Sequence, residues 1–366
     1  MALSKSKVRS SSKNSPQKRD SHSRTHYLVE KSQAIEKKLK EAIKQKNAEN
    51  QLKIETDIFW ISAGIVLFLW IGHLSKPNSI FSNFLKLQYK IDASGTYGIG
   101  YKDFYYFLQI TTHLLFFRSF LSLFIGRRFA RFMGVKNVAS HARISEQMWG
   151  ISVASTSFCF GAYLIYSNPQ YFRLDTAWSS YPLIKLPYKL KFYYLFQTSF
   201  WTSAFIYLFI EKRRSDFLAM FAHHTITISM LLGSYYTNFT AMGTIIHTSM
   251  DFADIFVPLA KLFKYLDYQL ACTITFAFMA FSWIATRHVF LLRLIYNVAF
   301  EANTYIDYAW DPKAGIYASI WMQRLFVFLL ICLQLLCCIW LYAMIVLIIN
   351  TISGKELDDI RSDDEN

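Results

Sequence analysis

Eight apolar runs, each near the ~20 residues that cross the hydrocarbon of a bilayer, leave this 366-residue chain few ways to fold. They lie at 57–74, 104–126, 147–166, 191–210, 217–236, 241–260, 269–296 and 316–350. A backbone in lipid must satisfy its own amides, so runs of this length predict helices. Composition agrees: 53% of the residues are hydrophobic and 17% charged, a balance too apolar for ordinary soluble domains. With only 7 prolines and 13 glycines, long helices can persist. The last run exceeds what the hydrocarbon needs and must tilt or project beyond it. The expected fold is therefore all-α, a polytopic membrane protein with about eight spans. Cys159, Cys272, Cys332, Cys337 and Cys338 fall inside the runs and read as packing residues, with no pair spaced for a disulfide or zinc.

Charge sets the orientation. The first fifty residues hold thirteen Lys/Arg against five Asp/Glu, and the tail 354–366 holds two against six. A basic arm that stops against a membrane span points to cytosolic retention and anionic lipid, not to nucleic acid. Its first 26 residues lack the apolar core of a signal peptide and read as disordered, and 27–55 reads as a polar cytosolic helix. With that end in the cytosol, the basic loop 127–146, Glu211-Lys212-Arg213-Arg214, and Lys261 with Lys264 fall on the same side. The acidic loop 297–315 falls opposite, and only 167–190 runs mildly against the positive-inside rule. Both termini are expected to be cytosolic. The domain reading is a basic region at 1–55, two spans within 56–139, six further spans within 140–350 and an acidic tail at 351–366.

Ionisable side chains at bilayer depth face a cavity or a partner. His223 and His224 stand six or seven residues from the cytosolic end of the fifth run, about 10 Å deep at the helical rise. The sixth run returns, placing Asp254 about 9 Å and Asp251 about 14 Å below the same surface. The two aspartates share a helical face, with His247 one turn before Asp251. An imidazole near a carboxylate can accept a proton from an attacking amine or attack a thioester itself. Competing readings are polar glue between helices and a proton-coupled transporter. His73, His113 and His288 read as hydrogen-bonded packing residues. A metal centre is disfavoured because the nine histidines form no ligand cluster.

The segment around these residues resembles the signature of the ceramide synthase (longevity-assurance) family within the TLC-domain group. The matching positions are His223-His224, Thr227, Ser234-Tyr235, Asn238, Gly243-Thr244, Asp251, Asp254 and Ala260-Lys261. Glu146, Trp149, Tyr181-Pro182, the run Tyr193 to Trp201, the segment Glu211 to Asp216, Ser282-Trp283 and Arg287 are similar to the family's flanking patterns. Met250-Asp251 looks like the fungal branch, where many animal members have His-Asp. Ala241 stands where an arginine is common, and no homeobox-like insert is visible.

The resemblance implies a six-helix TLC bundle made by spans three to eight. It implies acyl-CoA-dependent N-acylation of sphinganine or phytosphingosine in the endoplasmic reticulum, with very-long-chain acyl groups and no cofactor beyond acyl-CoA as co-substrate. A small single-span accessory subunit and dimerisation with a like or related chain are the implied partners. A non-enzymatic TLC lipid sensor or translocon-associated protein is the alternative. On the resemblance, His223 and His224 are catalytic and Asp251 and Asp254 support them; the mechanistic expectation is that His223 is the reactive imidazole and His224 its neighbour. Trp201, Arg213, Asn238 and His247 are the substrate-binding candidates. The loops 127–146 and 211–214 either meet the phosphates of acyl-CoA or serve topology alone. Asn238-Phe239-Thr240 is a glycosylation sequon expected to stay unmodified, and Ser362 before Asp363-Asp364-Glu365 resembles an acidic-kinase site.

Overall fold

The computed structural model describes residues 17–91, 95–211 and 215–353. Arg213 and the tail with Ser362 lie outside these residues. The chain divides at Asn50 into two units, of which the second, from Gln51 onward, holds the site.

Helix α1 (Gln17–Ser75) is followed by the short α2 (Phe81–Leu85) and by α3 (Asp103–Phe120). A π-helical turn at 121–126 carries α3 into α4 (Arg127–Phe132). Next come α5 (Val138–Ser167), α6 (Leu174–Trp178), α7 (Tyr188–Ile210), α8 (Phe217–Tyr236) and α9 (Thr240–Tyr265). Helix α10 (Gln269–Ile284) continues through π-helical turns at 285–290 and 297–301 on either side of α11 (Leu291–Tyr296). Helix α12 (Ile320–Ile352) ends the bundle. A two-residue strand β1 (Thr96–Tyr97) pairs antiparallel with β2 (Leu186–Pro187), Thr96 opposite Pro187.

Among the described residues, six helical segments are long and apolar enough to cross a membrane: 45–75, 103–132, 140–167, 217–236, 269–304 and 320–350. The other two runs, α7 and α9, are also continuous helices, of 23 and 26 residues. Their polar side chains face protein: Lys191, Gln197, Thr198, Ser199 and Ser203 on α7 and Thr244, His247, Thr248 and Asp251 on α9 are all buried. Large apolar side chains such as Leu270, Phe281, Trp321 and Tyr342 point outward, as lipid-facing surface requires.

Several boundaries differ from the sequence reading. Helix runs without a break from Gln17 to Ser75, where a disordered stretch, a polar helix and a separate span were expected. No proline or glycine follows Pro16 until Gly64, so nothing in the sequence stops propagation. The loop expected at 127–146 shrinks to a few residues, because α4 carries Arg127, Arg128 and Arg131 and α5 carries Arg143, leaving only Lys136 of its named basic residues between them. The last span begins at Ile320, since Gly315 takes a left-handed φ of 70° and closes a turn ahead of it. Helix α9 continues to Tyr265, so the aspartates stand about 7 Å farther from its end than expected.

Small residues let the helices approach closely. A Cβ at Gly150 of α5 would lie 3.1 Å from Pro258 of α9. Gly161 of α5 faces Thr248 and Tyr193, and Gly243 of α9 lies under the Tyr194 hydroxyl. At one end of the bundle the buried Lys191 pairs with Asp103 at 2.6 Å and donates to the carbonyls of Gln88 and Gly98 at 2.8 and 2.7 Å. Tyr235 donates to the same carboxylate at 2.9 Å. At the other end Arg127 pairs with Glu55 at 2.9 Å, Ser122 donates to Glu55 at 2.6 Å, and Arg118 pairs with Glu211 while stacking 3.5 Å over Tyr207.

Candidate active site

The site is built on one stripe of α7. Tyr193, Gln197 and Trp201 recur every four residues and so share a face. Trp201 meets both histidines of α8 edge-on, with ring centroids 5.1 Å from His223 and 5.5 Å from His224. One turn away, Gln197 Nε2 donates to Asp251 Oδ2 of α9 at 2.6 Å and to the Tyr193 hydroxyl at 3.0 Å. Tyr193 in turn reaches Thr248 at 3.4 Å. A single helix thus holds the histidines and Asp251 about 6 Å apart in height, the rise of four residues.

The enclosure closes on the far side. Trp340 of α12 packs edge-on to His223 at 5.3 Å and to Trp283 of α10 at 6.1 Å. Arg287, one turn beyond Trp283, lies 4.2 Å over its ring. Its Nη2 donates to Asp254 Oδ1 at 2.7 Å and to the Met250 carbonyl at 3.1 Å. From α7 through α8, α12 and α10 to α9 and back, five helices form an unbroken ring of contacts.

The two imidazoles differ in their bonding. His224 is buried, and its Nδ1 lies 2.6 Å from the Met220 carbonyl. A carbonyl only accepts, so this nitrogen carries the proton and Nε2 of the neutral ring keeps the lone pair. His223 Nδ1 is buried without a hydrogen-bond partner among the described residues. The expected imidazole–carboxylate bond is not formed: Asp251 is held by Gln197, and Asp254 by Arg287. Among the described residues no cluster of three or more His, Cys, Asp or Glu is arranged to hold a metal.

His247 stands apart from both histidines and lines an apolar cavity. Its walls include Met230 and Ser234 of α8, Ile246 of α9, and Met322, Phe326 and Leu330 of α12. Met230 lies seven residues beyond His223 along α8, so the cavity begins about 10 Å past the histidines and runs away from them. Gln323, at its far end, is fixed by bonds of 2.8 and 3.0 Å to the carbonyls of Val298 and Ala299.

Asn238 lies at neither place. It sits in the turn between α8 and α9 with a φ of 65°, and its Nδ2 donates to the Gly315 carbonyl at 2.8 Å. That is the atom a glycan would need, and the residue is 7% exposed. Of the candidate phosphate ligands, Arg127 and Arg143 are held in ion pairs with Glu55 and Glu146. The three histidines read as packing residues have local partners: His73 with Ser82, His113 with the Gln109 carbonyl, and His288 with Gln334.

Comparison with known proteins places this arrangement. The model of the TLC domain matches residues 143–346, which hold the whole ring of contacts. Ceramide synthase LAG1 of Saccharomyces cerevisiae is 30% identical over 299 residues, covering 81% of this chain and 72% of that protein. The chain belongs to the ceramide synthase family of TLC-domain proteins. Sphingosine N-acyltransferase lag1 of Schizosaccharomyces pombe is 30% identical over 283 residues, 77% of this chain and 72% of that protein. Human ceramide synthase 5 is 32% identical over 226 residues, 61% of this chain and 55% of that protein.

Sequence reading assigned no role to Gln197, Trp283, Arg287 or Trp340, which complete the ring in this family member. Arg287 carried a usable signal, because a charge inside an apolar run demands a partner. Gln197 carried a weaker one as an uncharged polar residue in an apolar run. Trp283 stood within the family's flanking pattern without a role, and Trp340 carried no signal, being an ordinary residue of a membrane helix.

Proposed function

We propose that the protein is a ceramide synthase that joins the acyl group of acyl-CoA to the amine of a sphingoid base. It works in the endoplasmic reticulum membrane with both termini cytosolic. The observation that carries this reading is the double histidine, enclosed by tryptophans near two aspartates, with an apolar cavity about 10 Å farther along α8. The thioester is seated at the histidines, and the acyl tail runs past His247 into the cavity. The amine nitrogen attacks the thioester carbonyl, the C–N bond forms, and the C–S bond breaks with its electron pair going to sulfur. The proton lost from nitrogen passes through an imidazole to the thiolate, giving the amide and free CoA thiol. His223 is the reactive ring, since its Nδ1 has no partner among the described residues while His224 Nδ1 is committed to Met220. In the covalent variant His223 takes the acyl group first and the amine then displaces it. No cofactor is required beyond acyl-CoA, and a small single-span subunit and a second like chain are the proposed partners.

Purified protein given acyl-CoA and sphinganine should release amide product, read by mass. His223→Ala and His224→Ala should each lose activity by about 100-fold or more, the scale of acid–base catalysis. Full activity in both folded variants defeats the assignment. An acyl mass on the protein before amine is added would select the covalent route.

A further inference from the structure

The helices around the two aspartates treat them differently. Asp254 accepts from Arg287, whose side chain is 6% exposed and which also donates to the Met250 carbonyl. Arginine does not deprotonate in proteins, so a guanidinium at this depth requires a counter-ion, and Asp254 is the one it has. Asp251, one turn earlier and 4% exposed, forms no ion pair among the described residues, and the Arg287 charge acts on it only from a distance. Its Oδ2 accepts from the neutral amide of Gln197, which orients a carboxylate without cancelling its charge. Gln197 is fully buried, and its Oε1 has no hydrogen-bond partner among the described residues. The amide cannot be turned over, because that would set oxygen against carboxylate. Two acceptors therefore stand side by side, the charge of Asp251 and the amide oxygen of Gln197. When both carboxylates are ionised, two negative charges and one positive leave the cluster one cation short. A sphingoid base brings an ammonium beside hydroxyl groups, all of them donors. Acyl-CoA brings phosphates, which this cluster would repel.

We propose that Arg287 and Gln197 sort the two aspartates: Arg287 reserves Asp254 as its counter-ion, and Gln197 holds Asp251 ready, with its own amide oxygen alongside, to receive the ammonium and a neighbouring hydroxyl of the sphingoid base. This rests on the reading of the chain as a ceramide synthase. Arg287 is a positioning residue, and Asp251 and Gln197 touch the substrate.

The test measures KM for sphinganine and for acyl-CoA separately, with melting temperature in detergent. The variants are D251N, Q197M, D254N and D254N/R287Q. D251N and Q197M should each raise the sphinganine KM about tenfold or more, as expected for lost bonds to a charged group. Their acyl-CoA KM and melting temperature should stay near wild type. D254N strands the arginine and should lower melting temperature and kcat. Removing both charges in D254N/R287Q should recover most of the loss. A D254N protein too unstable to purify, beside a double variant that purifies, is the same rescue. A wild-type sphinganine KM in D251N, or a double variant no better than D254N, overturns the proposal. Wild-type protein that forms no amide from acyl-CoA and sphinganine removes the activity reading, and this inference with it.

Discussion

Gly243 shows what a motif residue can be for. It lies in the Gly-Thr pair of the family signature, yet it stands two helical turns before Asp251, on the wall of the cavity that His247 lines. A Cβ built there would run into the Tyr194 hydroxyl, which donates to the Thr240 carbonyl at 3.1 Å and lies 3.4 Å from Ser234. Tyr194 is 1% exposed and has no free space into which to swing. Gly243→Ala should therefore cost about 1–3 kcal/mol, the usual penalty of overpacking. A melting curve in detergent reads the loss, and Gly243→Ala combined with Tyr194→Phe should regain part of it. An unshifted melting temperature in the single variant would show that α7 and α9 can slide apart. The same site logic separates the histidines. His223 packs edge-on against two tryptophans, and its Nδ1 has no hydrogen-bond partner among the described residues, whereas His224 is fixed by its own helix.

At the scale of elements, the buried Lys191–Asp103 pair joins α3 to α7, and Tyr235 brings in α8. Two further carbonyls, from Gln88 and Gly98, bind the connecting loop to the same ammonium. Replacing one partner leaves the other charge buried and alone, so Lys191→Met should destabilise by about 3–5 kcal/mol. Adding Asp103→Asn should return a substantial part of this, since both charges are then gone. Thermal unfolding of the three proteins checks the order, and equal stability of the single and double variants would contradict it. Such a pair was not legible in the sequence, because Lys191 and Asp103 lie at the edges of apolar runs where charges are commonplace. The helices themselves were legible, since apolar length alone determines them in lipid. Their ends were less so: the π-helical turns at 121–126, 285–290 and 297–301 have no composition of their own. The common depth of the histidines and aspartates could be counted from helical rise. Their partners could not, because Gln197 and Arg287 reach the aspartates from α7 and the π-helical turn after α10, whose neighbours are set by tertiary packing. The sequence reading therefore joined His to Asp, where the structure interposes Gln197 and Arg287.

In the whole bundle, the ring of five helices and the cavity lie in line along α12. Trp340 closes the ring and Met322 lines the cavity, eighteen residues apart and so about 27 Å along the axis. An acyl chain anchored at the histidines would find this apolar space on its way from the basic end. The depth of the cavity then becomes the measure of the chain. Each methylene that finds a buried seat contributes about 0.8 kcal/mol, about fourfold in selectivity per carbon. Met322→Trp places bulk at the far end, more than two dozen ångströms from the reacting atoms by the same rise, about 27 Å. It should leave the rate with short acyl-CoA near wild type and cut long-chain products steeply. Product lengths from a mixed acyl-CoA pool, read by mass, give the answer directly. An unchanged length profile would mean that the tail leaves the ring between helices into lipid, and the cavity beyond His247 would then serve another occupant. A shortened profile with normal short-chain turnover ties the two halves of the bundle into one device, with chemistry at the histidine ring and length selection at the far end of the cavity.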